Sequence, residues 1–289
     1  MKTNIQLKND ALKALGKDKW GISIGGFLVY FIVTQAIGLI PFIGAIGGFI
    51  LTGPFVVGLY FFYLKVSRGD HVEIEDLFVA FKNRNQFLAA LVAFLLIAVI
   101  IFPTIMISIV IWIFLIIGKE SIEKIVDNIS YWSDITNPFG VFNFQSDLPL
   151  YEPDTMAMAS ADLNWFVIIL GFVLIVLLPV TYISLGISQT FFTIANDENI
   201  SGLDAFKESW RLMKNKKLKL FLLELSFIGW IFLIFMPAIL TVLYFIKFNT
   251  ISISILILSI LIIFIGFIFL CPYIYTTYAK FFDNLNESS

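Results

Sequence analysis

The sequence predicts an all-α polytopic membrane protein, with six transmembrane helices arranged as three hairpins, each preceded by an amphipathic interfacial helix on the cytoplasmic side. Three observations carry this. Hydrophobic residues make up 59% of the chain, with 32 Phe and only 14% charged residues, and the mean hydropathy is +0.93, far outside the range of soluble domains. Six apolar segments are long enough to cross a hydrocarbon core of about 30 Å, which takes roughly 20 helical residues. Threading the chain through them places sixteen of its 19 Lys and Arg residues on one side.

The six segments fall at about 20–40, 44–66, 86–117, 165–196, 218–246 and 251–280. The first begins only at Trp20 and carries no small-residue cleavage site, so it reads as a spanning helix and not a signal peptide. Alternation then puts 1–19, 67–85, 197–217 and 281–289 on one face, and 41–43, 118–164 and 247–250 on the other. The second face holds only Lys119, Lys124 and Lys247, with eight acids in its long loop. The positive-inside rule places both termini on the cytoplasmic side.

The segments on the lysine-rich face recur. "LKNDALKALGKDKW" (7–20), "IEDLFVAFKNRNQF" (74–87) and "LDAFKESWRLMKNKKLKLF" (203–221) each pass from a helical apolar period into a basic cluster and then a crossing. Leu7, Ala11 and Leu15 share one face, as do Ile74, Leu77, Phe78 and Phe81, and Leu203, Phe206, Trp210 and Met213. Thr3-x-x-Gln6 and Ser201-x-x-Asp204 have the pattern of a capped helix start. The exits recur too, as "YFFYLKVSRGD", "TFFTIANDEN" and "AKFFDNLNES", each preceded by a proline (Pro54, Pro179, Pro272). One membrane domain of three units, about 1–66, 70–196 and 200–282, follows. A helix with an apolar face and lysines is suited to the headgroup boundary, where each cation gains about 1 kcal/mol beside an anionic leaflet. Anionic lipid headgroups are therefore the expected partners of this face.

The runs "AFKESWRLMKNKKLKLFLLELSFIGW", "GPFVVGLYFFYLKVSRGD…EDLFVAFKN" and "CPYIYTTYAKFFDNL" resemble the bacterial domain-of-unknown-function 975 family of multi-pass membrane proteins. That resemblance covers most of the chain in the right order, and it implies a basic elbow, an acid before "LSFIGW" and a closing "PY" helix. Residues from about 104 to 163 look like an insertion relative to it. The family carries no agreed activity, so the resemblance implies fold and topology alone.

Candidate structural or interface residues lie in "KNKKLKLFLLELSFIGW" (214–230): Lys214, Lys216, Lys217, Lys219, Glu224 and Trp230. Glu224 lies five residues past Lys219, about 7 Å along a helix. There a carboxylate reaches headgroup water or meets Lys217, Lys219 or Lys280, avoiding the roughly 2.5–3.5 kcal/mol cost of a charge at mid-span. It reads as an interfacial anchor in preference to an ion or proton site. Pro103, Pro179, Pro237 and Pro272 are candidate kinks. Pro103 and Pro179 fall near mid-bilayer, where some transporters break helices to build a site, although few polar residues accompany them.

Signs of catalysis are missing. No P-loop, HExxH or CxxC occurs. His71 is a lone loop histidine, and the nearby acids Asp70, Glu73, Glu75 and Asp76 lack the spacing of a calcium loop. No catalytic residue, metal, cofactor or nucleic-acid partner is expected. Loop 118–164 opens with "KESIEKIVDNISYW", whose helical spacing of Ile122, Ile125, Val126, Ile129 and Trp132 predicts a short amphipathic helix at the outer surface. The remainder is acidic and turn-rich, and suits either a docking site for a protein partner or a lid. The sequence thus favours a non-enzymatic scaffold or accessory subunit, with a transporter or exporter of small or amphiphilic molecules as the alternative. Its last four segments exceed the membrane's thickness, so they are expected to break at their prolines or to project beyond the lipid.

Overall fold

The computed structural model describes residues 2–40, 43–135, 168–248 and 253–288. Every regular element among them is helical. In order they are α1 (Asn4–Leu15), α2 (Trp20–Gly38), α3 (Ile43–Arg68), a 3-10 turn (Ile74–Phe78) running into α4 (Val79–Lys82), α5 (Arg84–Ile135), a π segment (Val173–Leu177) leading into α6 (Leu178–Ile187), α7 (Thr190–Asn196), α8 (Gly202–Leu212), α9 (Lys217–Phe248) and α10 (Ile253–Asn286). Six stretches are long and apolar enough to span a bilayer: Trp20–Gly38, Gly47–Arg68, Arg84–Leu115, Ile168–Asn196, Lys217–Lys247 and Ile253–Asn286. An even number of spans returns both termini to one side.

Local chemistry sets where the short helices start. Thr3 Oγ1 accepts from Gln6 N, while the Gln6 side chain accepts from Thr3 N at 2.8 Å, the reciprocal cap expected from the sequence. Ser201 Oγ likewise accepts from Asp204 N at 3.1 Å. A third such pair, Glu73 with Asp76, opens the 3-10 turn that stands where a helical period was expected over 74–81.

The described residues group into two compact units, Met1–Ala98 with Ser184–Ser289, and Val99–Ile183. In the first, α3 is the central helix: 56% of its span is buried within the protein, against 6–11% of the other five. It packs against α2, α7, α10, the 3-10 turn and α1. Small residues allow the closest approaches. A Cβ on Gly53 would lie 2.5 Å from Ala90 O, and one on Gly202 would lie 2.8 Å from Ala93 N, so α3 and α8 both close on the alanine face of α5 (Ala89, Ala90, Ala93). In the second unit, Trp112 donates its indole N–H to Ile168 O at 3.3 Å and meets Phe172 edge-on at 5.2 Å.

Pro103, Pro237 and Pro272 each lie inside a continuous α-helix, which carries on past them. Of the four candidate kinks, only Pro179 coincides with a change of helix type, the π segment just before it, an adjustment that can absorb a missing proline N–H without ending a helix. One expectation is corrected: residues 118–135 are not loop. They continue α5, whose 52 residues extend about 78 Å at 1.5 Å per residue. The predicted helix over 119–132 exists, therefore, as the end of a spanning helix. The rest of the expected loop, 136–164, lies outside the described residues.

Candidate functional site at the lysine-rich end of the helices

The three exits meet. Phe62 of α3, Phe192 of α7, and Phe281 and Phe282 of α10 are each at most 1% exposed. Phe192 stacks on Tyr60 with ring centroids 4.0 Å apart and on Phe282 at 5.5 Å, while Tyr63 stacks on Tyr275 at 5.3 Å and donates its hydroxyl to Ser23 O at 2.9 Å. Just beyond this aromatic layer one guanidinium ties all three exits together. Arg68 donates to Asp283 Oδ1 from Nε at 3.1 Å and from Nη2 at 2.6 Å, and to Asn196 Oδ1 at 2.7 Å. Lys280 Nζ donates to Ser67 O. A charge-assisted bond of this kind is about twice as strong as a neutral one. The sequence showed only that a polar residue follows each pair of aromatics; their meeting was not visible in it.

Each lead segment sits on the exit that precedes it in the chain. The 3-10 turn lies on α3, with the Leu77 carbonyl over Gly58 and Lys65 paired to Asp76 at 2.7 Å. Helix α8 lies on α6 and α7: Ser209 Oγ donates to Gly186 O at 3.0 Å and accepts from Gln189 N at 3.1 Å, and the Trp210 ring covers Gly186. Helix α1 closes the series on the last exit, where Lys2 N donates to Asn284 Oδ1 at 3.0 Å. Its Leu7, Ala11 and Leu15 are buried in the protein's own core. In α1 the apolar face expected against lipid packs against protein instead, because an exit helix lies beneath it. Helix α8 turns its small face inward (Gly202, Ala205, Ser209, Leu212), leaving Leu203 and Trp210 exposed.

Lys2 and Asp10 pair at 2.7 Å beside α1. Their hydrogen bond holds the Asp10 carboxyl below the usual carboxylate range and raises the Lys2 ammonium above the usual amine range. With ordinary values of about 3.9 and about 10.4, the pair's contribution is fully present between them. It is lost as pH falls through the depressed Asp10 value or rises through the raised Lys2 value. Amide exchange in α1, corrected for intrinsic rate, should therefore be flat from about pH 5 to 9, and a step near neutrality would contradict the pairing.

The elbow residues disperse. Lys214 is exposed, Asn215 takes a left-handed φ of 61°, and Lys216 Nζ donates to Ser288 Oγ at 3.0 Å. Lys217 Nζ lies 3.7 Å over the Trp210 ring, and Lys219 Nζ donates to Lys2 O. None of the three lysines expected to meet Glu224 pairs with it. The carboxylate is half-buried and lies within electrostatic reach of Tyr60 and Tyr278. Since no cation depends on its charge, Glu224→Gln should leave detergent thermal stability within about 0.5 kcal/mol of wild type; a drop of several degrees in melting midpoint would show that the charge itself is needed.

The loop acids are taken up individually. Asp76 pairs with Lys65, Glu75 with Lys82 at 3.0 Å, and Glu73 with His71 at 3.2 Å. Among the described residues no cluster of His, Cys, Asp and Glu side chains could hold a metal ion. Ser188 Oγ donates to Leu185 O and accepts from the Gln189 amide. A polar cavity of about 480 Å³ lies over the Arg68–Asp283 tie, lined also by Lys2, Asn196 and Lys280. A second, almost wholly apolar groove of about 430 Å³ runs from Leu12 and Trp20 to Trp230 and Leu233.

Fold and site together define a class: polytopic, all-helical membrane proteins of six spans. Within it, the chain belongs to the family described as "Protein of unknown function (DUF975)", which matches over residues 1–289. The matched range runs through 104–163, the stretch that looked inserted. No curated protein and no solved structure matches the chain.

Proposed function

We propose that this protein is a non-enzymatic scaffold or accessory subunit of a bacterial cytoplasmic membrane, with both termini inside. Its lysine-rich face binds anionic lipid, and residues 118–164 present a protein partner with a docking surface outside. Three hairpin units, each led by a short amphipathic segment, build it. The observation that best supports this reading is the aromatic layer of Tyr60, Phe62, Phe192 and Phe282, which fills the place where the exits meet. A filled junction suits a fixed platform better than a conduit. The alternative, a transporter of small or amphiphilic molecules, draws on Glu224 beside Tyr60 and Tyr278 and on the π segment before Pro179.

Purification of the full chain in mild detergent, followed by mass spectrometry of bound protein and lipid, tests the proposal. A partner retained by wild type and lost on deletion of residues 136–160 supports the scaffold. A monodisperse protein without any retained partner, combined with substrate flux in proteoliposomes that Glu224→Gln abolishes, would replace it with the transporter. Orientation is read by single cysteines at positions 10, 147 and 215 in a Cys271→Ser background. Position 147 should react with an impermeant thiol reagent in intact cells, and positions 10 and 215 only after lysis; labelling of 215 in intact cells would invert the threading.

A further inference from the structure

The apolar groove has one wall from α1 and the start of α2, and the other from α9 and α10. Leu12, Trp230, Leu233 and Phe269 on those walls are 43%, 53%, 61% and 52% exposed. The Lys8 ammonium fixes the α1 wall to α9: it donates to Ser226 O at 3.3 Å and to Ser226 Oγ at 3.2 Å, and lies 4.6 Å over the Phe227 ring. One helical turn further along each chain come Leu12 and Trp230. Trp20 closes on Phe269 with centroids 6.1 Å apart. Along α10 the groove runs from Tyr273 to Gly266, seven residues or about 10 Å, beginning a similar distance inside Lys280. The groove therefore lies about 10–21 Å inside Lys280, within one half of a bilayer about 40–45 Å thick with its headgroups. The volume of about 430 Å³ is within the roughly 300–1,000 Å³ of ligand pockets.

Charge identifies what sits at the mouth. Leu12 and Trp20 bracket residues 13–19, "KALGKDK", where Lys13, Lys17 and Lys19 oppose Asp18 alone, three positive charges against one negative. Lys19 Nζ is taken by Asp70 O at 2.8 Å, while Lys13 and Lys17 are exposed. An apolar slot framed by two tryptophans, with exposed lysines on the stretch that joins Leu12 to Trp20, matches an amphiphile with a tail and a negative head. We propose that this groove is a binding site for one anionic phospholipid, with an acyl chain between α1, α9 and α10 and its phosphate on Lys13 and Lys17. The site deepens the lipid-binding part of the scaffold reading and rests on it.

Tryptophan quenching tests the site on the full-length protein, reconstituted in phosphatidylcholine vesicles with a tenth of the lipid replaced by dibrominated phosphatidylglycerol or dibrominated phosphatidylcholine. Subtracting a Trp20→Phe/Trp230→Phe variant isolates the two groove rings. Brominated phosphatidylglycerol should occupy the groove about thirtyfold in preference to brominated phosphatidylcholine, given two lysines beside the phosphate, and Lys13→Gln/Lys17→Gln should remove that preference without altering protein yield. Equal quenching by the two lipids, or a preference that survives the double substitution, would overturn the site. So would an absence of quenching by either lipid, the result expected if a second copy of the chain covers the groove. Proteins retained on purification report the scaffold reading separately, so the two can fail independently.

Discussion

Gly58→Ala should deplete the protein from the membrane. A Cβ at this position would overlap the Leu77 carbonyl oxygen and come within 2.6 Å of its carbon. The obstacle is backbone, held by the Glu73–Asp76 cap and by the Lys65–Asp76 pair, so no rotamer change can relieve it. Overpacking of side chains costs about 1–3 kcal/mol, and occasionally more; a clash with backbone belongs at or above the upper end. The expected result is a fall in detergent melting midpoint large enough to lower the yield of folded protein several-fold. Gly229→Ala on α9 is the control, since nothing lies within 4 Å of its Cβ position. Helix propensity alone would then make it neutral or stabilising by up to about 1 kcal/mol. Equal behaviour of the two variants would mean that the 3-10 turn does not rest on α3 as described.

Phe192→Ala should be comparably damaging for the opposite reason. The ring is 1% exposed and lies between Tyr60 and Phe282, so its removal leaves a void bounded by two stacked rings that belong to different exits. Truncation of a buried Phe costs about 3–5 kcal/mol. Lipid offers less hydrophobic drive than water does, so most of this loss is van der Waals contact that no neighbour can restore. Phe232→Ala, removing a ring that is 58% exposed on α9, should change the midpoint little. If both phenylalanines proved equally dispensable in a thermal-shift series, the aromatic layer would not be what joins the exits.

Much of this architecture can be read from residue order. Six apolar runs were visible because bilayer thickness demands their length, and their ends lie within a few residues of the spans found. The starts of α1 and α8 were visible because a cap is local chemistry. What escaped was whatever depends on a neighbour. Helix α8 has two helical stripes, one bulky (Leu203, Phe206, Trp210) and one small (Gly202, Ala205, Ser209, Leu212), and periodicity cannot rank them. The neighbours rank them: Gly202 closes on the backbone of Ala89 and Ala93 in α5 and Ser209 bonds Gly186 O, so the stripe that allows close approach is the one buried. Lys119 and Glu120 marked the end of the apolar run, and a polar residue ends a hydrophobic signal without ending a helix, so α5 extends further than expected. Glu224 was assigned lysine partners by sequence distance, yet each of those lysines finds an acceptor or a ring on another helix.

Closure of the first lead helix on the last exit has a consequence for how the protein is made. The bond from Lys2 N to Asn284 joins positions 282 apart, so the seat of α1 does not exist until the final span has been synthesised and inserted. At 5–20 residues per second that is a wait on the order of tens of seconds. Throughout it, Leu7, Ala11 and Leu15 lack the part of their cover that α10 supplies, and an amphipathic helix with lysines beside its apolar face can rest on the membrane surface meanwhile. Docking of α1 onto α10 therefore follows insertion of the last span.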